Sequence, residues 1–337
     1  MYTFYFYFDV GEGSGLGHAM RCHSLGLGVE KLGAACTYLM SANVQNTENL
    51  PKFLSSAIEC QPTPEAILSQ CGDSKLPRCL VLDSYCLDVN LFDELNSANL
   101  LLVCFDDLII KTLPVDVVIN GFPSISERDY KLFAAKHALV GPKYQVIRSD
   151  LVRATGARVA KSVSKILITI GGGDKEYIIP ELIELCLTKV FTKWPEIKVD
   201  LVLGPFAPIP LVKPNANIRI HNNPLNFSEL LCDADMAISA GGQTLLELIY
   251  CGIPTIGLGV AKNQTPNLDK LSQLKCIKYI GQVRENNWQR KLIHEIDQLI
   301  GNPNIRDGLV KNSLRVFDGK GNNRIAMFLV NLLRDFN

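Results

Sequence analysis

Each half of this chain opens with the same pattern: an apolar strand, a glycine-rich loop and a helix. That recurrence narrows the fold more than any other feature. Residues 1–9 (MYTFYFYFD) are aromatic and β-prone and end at Asp9. Gly11-Glu-Gly-Ser-Gly-Leu-Gly17 follows, and residues 18–32 read as a helix with Met20, Leu25, Leu27 and Leu32 as apolar positions. In the second half, residues 165–170 (KILITI) read as a strand. Gly171-Gly172-Gly173-Asp174 stands at its carboxyl end, and a helix follows over 178–191. Short Val-, Ile- and Leu-rich runs at 35–40, 79–83, 100–105, 115–120, 199–203, 218–220, 236–239 and 254–257 supply further strands. Helices are expected over 227–232 and 244–251, and they dominate from there to a last helix at 322–336.

Strands alternating with helices imply parallel sheets. The expected fold class is α/β, with two Rossmann-like doubly wound domains facing a cleft. The expected domains are residues 1–152 and 153–337, with the boundary near 152–164 and the last helix packing back on the N-terminal domain. In such folds ligands sit at the carboxyl ends of the strands, in the cleft.

Several function classes are excluded by charge and composition. Lys+Arg and Asp+Glu both number 34, so no global basic field exists to hold nucleic acid. No apolar run is long enough to cross a bilayer, and residues 1–10 lack a signal-peptide pattern. The expectation is a cytoplasmic monomer without stable membrane insertion and without a nucleic-acid partner. The 11 cysteines are scattered with no Cys-x-x-Cys pair, which reads as free thiols in a reducing compartment and speaks against structural zinc.

Four segments could carry chemistry. In the first, four glycines between Gly11 and Gly17 let backbone approach a ligand, and the helix they open favours negative charge. His18 stands at that helix start, where an imidazole can take a proton; as plain structure it would be a helix cap. The loop is not a dinucleotide fingerprint, because residues 16 and 18 are Leu and His, and no Gly-Lys-Ser/Thr follows for a phosphate loop. In the second, Ser239-Ala-Gly241-Gly242-Gln243-Thr244 leads into a helix whose first N–H groups suit a diphosphate. Glu247, one turn on, could accept hydrogen bonds from both ribose hydroxyls. The third is the Gly171–Gly173 turn at the same sheet edge; together the two loops suggest one nucleotide sugar. The fourth is Asp83-Ser84-Tyr85, a polar strand end that could line a cleft or cap a helix. Asp106-Asp107 is a weak metal candidate, since adjacent acids on a strand point in different directions. The amides of Asn263-Gln264 could meet a sugar or phosphate. His18 and His23 are five apart, off the spacing of a helical metal pair, and no Gly-x-Ser-x-Gly elbow occurs.

With these residues in hand, the chain resembles the UDP-sugar hydrolases of pseudaminic acid biosynthesis. Those enzymes release 2,4-diacetamido-2,4,6-trideoxy-L-altropyranose from its UDP-linked form and share the GT-B fold with MurG-type glycosyltransferases. The matching pieces occur in family order over most of the chain: 15–22 (GLGHAMRC), 82–87 (LDSYCL), 105–108 (FDDL), 139–144 (LVGPKY), 170–174 (IGGGD), 240–247 (AGGQTLLE), 252–254 (GIP), 263–264 (NQ) and 318–321 (DGKG). The resemblance implies that His18 is the catalytic residue. It places Gly15, Gly17, Arg21, Tyr85, Asn263 and Gln264 on the substrate side. It places Gly172, Gly173, Gly241, Gly242, Gln243, Thr244 and Glu247 around UDP, with no cofactor and no metal. The implied reaction is inverting cleavage of the anomeric C–O bond with water as acceptor, in a pathway feeding flagellin glycosylation or surface polysaccharide. Three positions depart from the family pattern: Tyr7 stands where an Arg is usual, Gly11 where a Ser is usual, and Gln243 where a Ser or Thr is usual. They leave the sugar open, and also whether a hydroxyl replaces water. An inverting glycosyltransferase on the same scaffold is the alternative reading, and a non-catalytic nucleotide-sugar-binding protein is a third.

Overall fold

The computed structural model describes residues 2–42, 44, 49–72, 76–87, 89–96, 98–110, 113–130, 135–153, 160–171, 178–211 and 215–335. The chain divides into two compact units, Met1–Arg148 with Gly319–Asn337 and Ser149–Asp318. Among the described residues no helix is long and apolar enough to cross a membrane.

The first unit is built on seven parallel strands: β1 (Thr3–Phe8), β2 (Ala35–Met40), β3 (Ile58–Glu59), β4 (Arg78–Asp83), β5 (Leu101–Phe105), β6 (Val117–Asn120) and β7 (His137–Val140), in the order β3-β2-β1-β4-β5-β6-β7. The strands β4, β5 and β6 are buried throughout, because helices cover both faces of a parallel sheet. The order reverses between β1 and β4, which run in register from Thr3↔Arg78 to Phe8↔Asp83. This switch point brings Asp9 and Asp83 to one sheet edge, where Asp9 N–H donates to the Asp83 carbonyl at 3.2 Å.

Helix α1 (Gly17–Glu30) follows β1 and is buried on several sides. Its apolar period is weak because it packs on the sheet and also against the C-terminal helix α11 (Gly321–Arg334). Small residues permit that second contact. A Cβ on Gly28 would lie 3.3 Å from Ala326 Cβ; separately, at the start of α11, one on Gly321 would collide with the Gln145 carbonyl oxygen. Asn322 fastens the helix by donating to the Ser24 and Ile147 carbonyls (3.2 and 2.9 Å) and accepting from Ile147 N–H (3.0 Å).

Helices α2 (Pro64–Cys71) and α3 (Val89–Asn96) complete the first unit's connections. Neither was expected from the sequence, nor were the edge strands β3 and β7. The first turn of α2 is legible in retrospect: the Thr63 hydroxyl accepts from Ala66 N–H, and Pro64 stands at its first position.

The second unit holds six parallel strands: β8 (Lys165–Thr169), β9 (Lys198–Leu203), β10 (Ile218–Asn222), β11 (Met236–Ala240), β12 (Thr255–Gly259) and β13 (Lys278–Gln282), in the order β10-β9-β8-β11-β12-β13. The reversal falls between β8 and β11, paired from Met236↔Ile166 to Ser239↔Thr169. Helix α4 (Ile178–Leu185) continues through a π turn (Cys186–Val190) into α5 (Phe191–Lys193). Then come α6 (Phe227–Cys232), α7 (Gln243–Tyr250), α8 (Thr265–Gln273), α9 (Trp288–Gly301) and α10 (Pro303–Val316). The core joins Ile166, Ile168, Leu201, Met236, Ile238, Ile256 and Leu258 of the sheet to Leu292, Ile296 and Leu299 of α9. Beyond residue 257, where the sequence predicts mostly helices, the structure adds one strand, β13. That strand is an edge with four of its five residues half-buried, so it lacks the continuous apolar run of a central strand.

All 11 cysteines are free thiols.

Candidate active site

The first glycine-rich loop folds back on itself. Gly15 N–H donates to the Gly11 carbonyl at 2.7 Å, and Gly11 and Gly15 take φ of 134° and 68°, which a side chain rarely tolerates. The turn delivers the chain to Gly17, the first residue of α1. Leu16 occupies the N-cap without a side-chain hydrogen bond, so His18 is no cap. His18 lies in the first turn and is 7 % exposed.

His18, Arg21 and Cys22 stand three and four residues apart, which places them on one face of α1. That face meets Asp83, fully buried at the end of β4. His18 Nδ1 lies 2.5 Å from Asp83 Oδ1. Arg21 donates to the same carboxylate twice, Nε to Oδ2 at 2.8 Å and Nη2 to Oδ1 at 2.6 Å. It also forks onto Asp107, Nη1 to Oδ1 at 3.0 Å and Nη2 to Oδ2 at 2.9 Å. The Phe105 ring lies 4.5 Å beneath the guanidinium. Tyr85 completes the group: its hydroxyl donates to Asp107 Oδ2 at 2.9 Å, and its ring meets His18 edge to face with centroids 4.6 Å apart. Asp9 holds the Tyr85 segment by accepting its backbone N–H at 2.7 Å.

Burial by itself pulls the His18 pKa down, but the charge and hydrogen bond of Asp83 outweigh it, and the net shift is upward. Burial likewise works against the Asp83 anion, yet Arg21 and then His18 hold its carboxyl well below the usual range. An ionised carboxylate at Nδ1 fixes the tautomer: Nδ1 keeps its hydrogen, and Nε2 is left for proton exchange. No hydrogen bond engages Nε2 among the described residues.

The two adjacent acids have separate duties. Asp107 belongs to the cluster just described. Asp106 accepts Ile110 N–H at 3.0 Å and the Tyr130 hydroxyl at 3.0 Å, which shapes the chain after β5. The sequence singled out His18, Arg21 and Tyr85. It treated Asp83 as a lining or capping residue and Asp107 as half of a weak metal pair; the position of each at a strand's carboxyl end was the available signal.

In the second unit, β8 runs on to Gly171, with φ of 87°, and β11 runs on to Gly241, at the sheet's switch point. Gly172, Gly173 and Asp174 lie outside the described residues. Gly241 has to be glycine: a Cβ there would lie 2.8 Å from the Leu268 side chain and 3.0 Å from Gln264 Cβ. Its N–H donates to Gln264 Oε1 at 3.2 Å, so Gln264 closes the loop on Gly241. Asn263 is exposed on the short turn Lys262–Gln264 that precedes α8. Gly242 is the N-cap of α7 without a side-chain hydrogen bond, and a Cβ there would meet nothing within 4 Å. Gln243 and Thr244 are half-buried in the first turn, where backbone N–H groups favour anions. Glu247 is one turn further and 2 % exposed.

No protein-family model matches the sequence. The chain is similar to the uncharacterized protein MJ1062 of Methanocaldococcus jannaschii, with 25% identity over 158 residues, covering 42% of this chain and 32% of that protein. It is 28% identical over 272 residues to the Helicobacter pylori "Pseudaminic acid cytidylyltransferase and UDP-2,4-diacetamido-2,4,6-trideoxy-beta-L-altropyranose hydrolase", covering 79% of this chain and 46% of that protein. It is 23% identical over 250 residues to the Bacillus subtilis spore coat polysaccharide biosynthesis protein SpsG, covering 72% of this chain and 69% of that one. The chain thus spans about a third and about half of the first two relatives. Among solved structures, Acinetobacter baumannii MurG aligns with a TM-score of 0.61 at 12% identity over 98% of this chain and 99% of its own. Arabidopsis thaliana UGT89C1, complexed with UDP, aligns with a TM-score of 0.67 at 12% identity over 98% and 99%. With two doubly wound parallel-sheet units and these structural neighbours, the chain has the GT-B fold.

Proposed function

We propose that this protein is a UDP-sugar hydrolase that cleaves the anomeric C–O bond of a UDP-linked diacetamido-trideoxy sugar with inversion. One observation carries the reading: the buried His18–Asp83 pair at the switch point of the first unit, with its tautomer fixed by a carboxylate. The Helicobacter pylori relative named as such a hydrolase, similar over 79% of this chain, supports it.

In this mechanism His18 Nε2 takes a proton from water as the water oxygen bonds to the anomeric carbon. The bond from that carbon to the diphosphate oxygen breaks, and UDP departs with the bonding electrons. Asp83 stabilises the imidazolium that forms. Backbone N–H groups at Gly242, Gln243 and Thr244, with the start of α7, meet the diphosphate charge. Glu247 takes the ribose hydroxyls, and Arg21 and Tyr85 act from beside His18. Gly15 and Gly17 keep the backbone open at the sugar, Asn263 offers it an amide, and Gln264 supports the Gly241 loop. Gly172 and Gly173 belong to the same UDP proposal. The reading includes a cytoplasmic monomer without cofactor.

An inverting glycosyltransferase is the second reading, because a sugar hydroxyl can give its proton to the same Nε2, and several of the structural neighbours are transferases by name. The deciding experiment offers the purified protein a panel of UDP-sugars without an acceptor and follows the products by NMR. Release of UDP with an inverted free sugar supports the hydrolase. Release only after an acceptor is added overturns it in favour of the transferase.

A further inference from the structure

We propose that Asp107 is a positioning residue for His18, acting through Arg21 and Tyr85, which it holds by three hydrogen bonds while making none to His18 itself. The proposal rests on the reading of His18 as the reacting group.

The contacts form a closed circuit. His18 meets Asp83, Asp83 meets Arg21, Arg21 meets Asp107, and Asp107 meets the Tyr85 hydroxyl, whose ring returns to His18. Arg21 donates to both oxygens of Asp83, so the guanidinium helps set where the carboxylate facing His18 sits. A guanidinium free to swing would carry that carboxylate with it. Asp107 prevents this by accepting the Nη1 and Nη2 hydrogens, and Phe105 fixes the plane from below. The other contact of Asp107 places the Tyr85 ring against the imidazole, so His18 is held at Nδ1 and by the Tyr85 ring.

Charge points the same way. The titratable groups around His18 are Arg21 and Cys22 on its own helix, Asp83 on β4, Tyr85 in the loop after β4, and Asp107 after β5. Two carboxylates and one guanidinium leave one negative charge, which an imidazolium neutralises. Asp107 adds to the upward shift of His18, and Arg21 opposes it. Asp106, the neighbouring acid, takes no part in this circuit.

The test titrates the imidazole resonances of His18 by NMR in the full chain, for the native protein, Asp107→Asn, Asp107→Glu and Tyr85→Phe. In Asp107→Asn the His18 midpoint is expected to fall, because a nearby negative charge that favours the imidazolium is removed. Its turnover should fall about tenfold, with KM changed less than threefold. Asp107→Glu should recover most of both. Tyr85→Phe removes one hydroxyl and no charge, so its midpoint should stay while kcat falls. A folded Asp107→Asn protein with the native His18 midpoint overturns the proposal. If Asp107→Asn does not fold, Tyr85→Phe decides: native kcat with unmoved His18 resonances overturns it. The Asp107→Asn titration needs no substrate, so that arm stands even if no UDP-sugar is turned over.

Discussion

At the residue scale, His18 and Asp83 tie function to stability. His18→Ala should lower turnover by about 10²- to 10⁴-fold, the usual contribution of a general base. UDP affinity, measured by calorimetry, should stay within about twofold, because the proposed nucleotide contacts lie in the second unit. Equal loss of binding and turnover would reject His18 as the base. The raised His18 pKa sets the pH dependence: only the neutral ring accepts a proton, so turnover should rise with pH along a limb displaced above the ordinary value of about 6.5. The stability effect has the opposite sense. A raised folded pKa adds stability that is fully present below about pH 6.5 and lost as pH rises through the folded value. The depressed pKa of Asp83 adds stability present above about pH 3.9 and lost on acidification through its folded value. Asp83→Asn leaves a buried guanidinium short of its partner and should cost about 3–5 kcal/mol in denaturant unfolding. A cost below about 1 kcal/mol would mean that Asp107 alone satisfies Arg21.

The turn between β11 and α7 separates two glycines at the scale of the element. Gly241→Ala would push a Cβ into the buried Leu268 and against Gln264. Overpacking of this kind costs about 1–3 kcal/mol and should displace the loop that we propose binds diphosphate. UDP binding should weaken at least tenfold, while hydrogen exchange in the first unit stays native. Gly242→Ala meets no atom within 4 Å, and Gly242 has φ of −90°, so its fold should be indifferent. Equal behaviour of the two variants in binding and unfolding would show that space around the backbone does not govern this turn.

For the molecule as a whole, the C-terminal helix belongs to the first unit although the second unit intervenes in sequence. Its face of Ile325, Ala326, Leu329, Val330 and Leu333 is buried. Deleting residues 319–337 exposes that face's partner on α1, the helix that carries His18 and Arg21. Amide exchange should accelerate throughout residues 2–148 and stay near native across residues 160–318. Uniform acceleration in both units would contradict this division.

Much of this architecture was legible in the chain itself. Apolar runs such as KILITI and CLVLD must be covered on both faces, and helices of the same spacing cover them, so parallel sheets follow from period and length. Glycines within residues 11–17 and at 241–242 marked strand ends where the chain turns into a helix. The edge strands β7 and β13 escaped because neither is buried along its whole length. Their existence depends on a neighbour strand, which no local period encodes. The charged circuit was hidden for a related reason. Asp83 is 65 residues from His18, and Asp107 is 86 from Arg21. Only the order of strands in the sheet makes them neighbours, and only burial at that edge turns a possible cap and a possible metal ligand into the partners of a histidine.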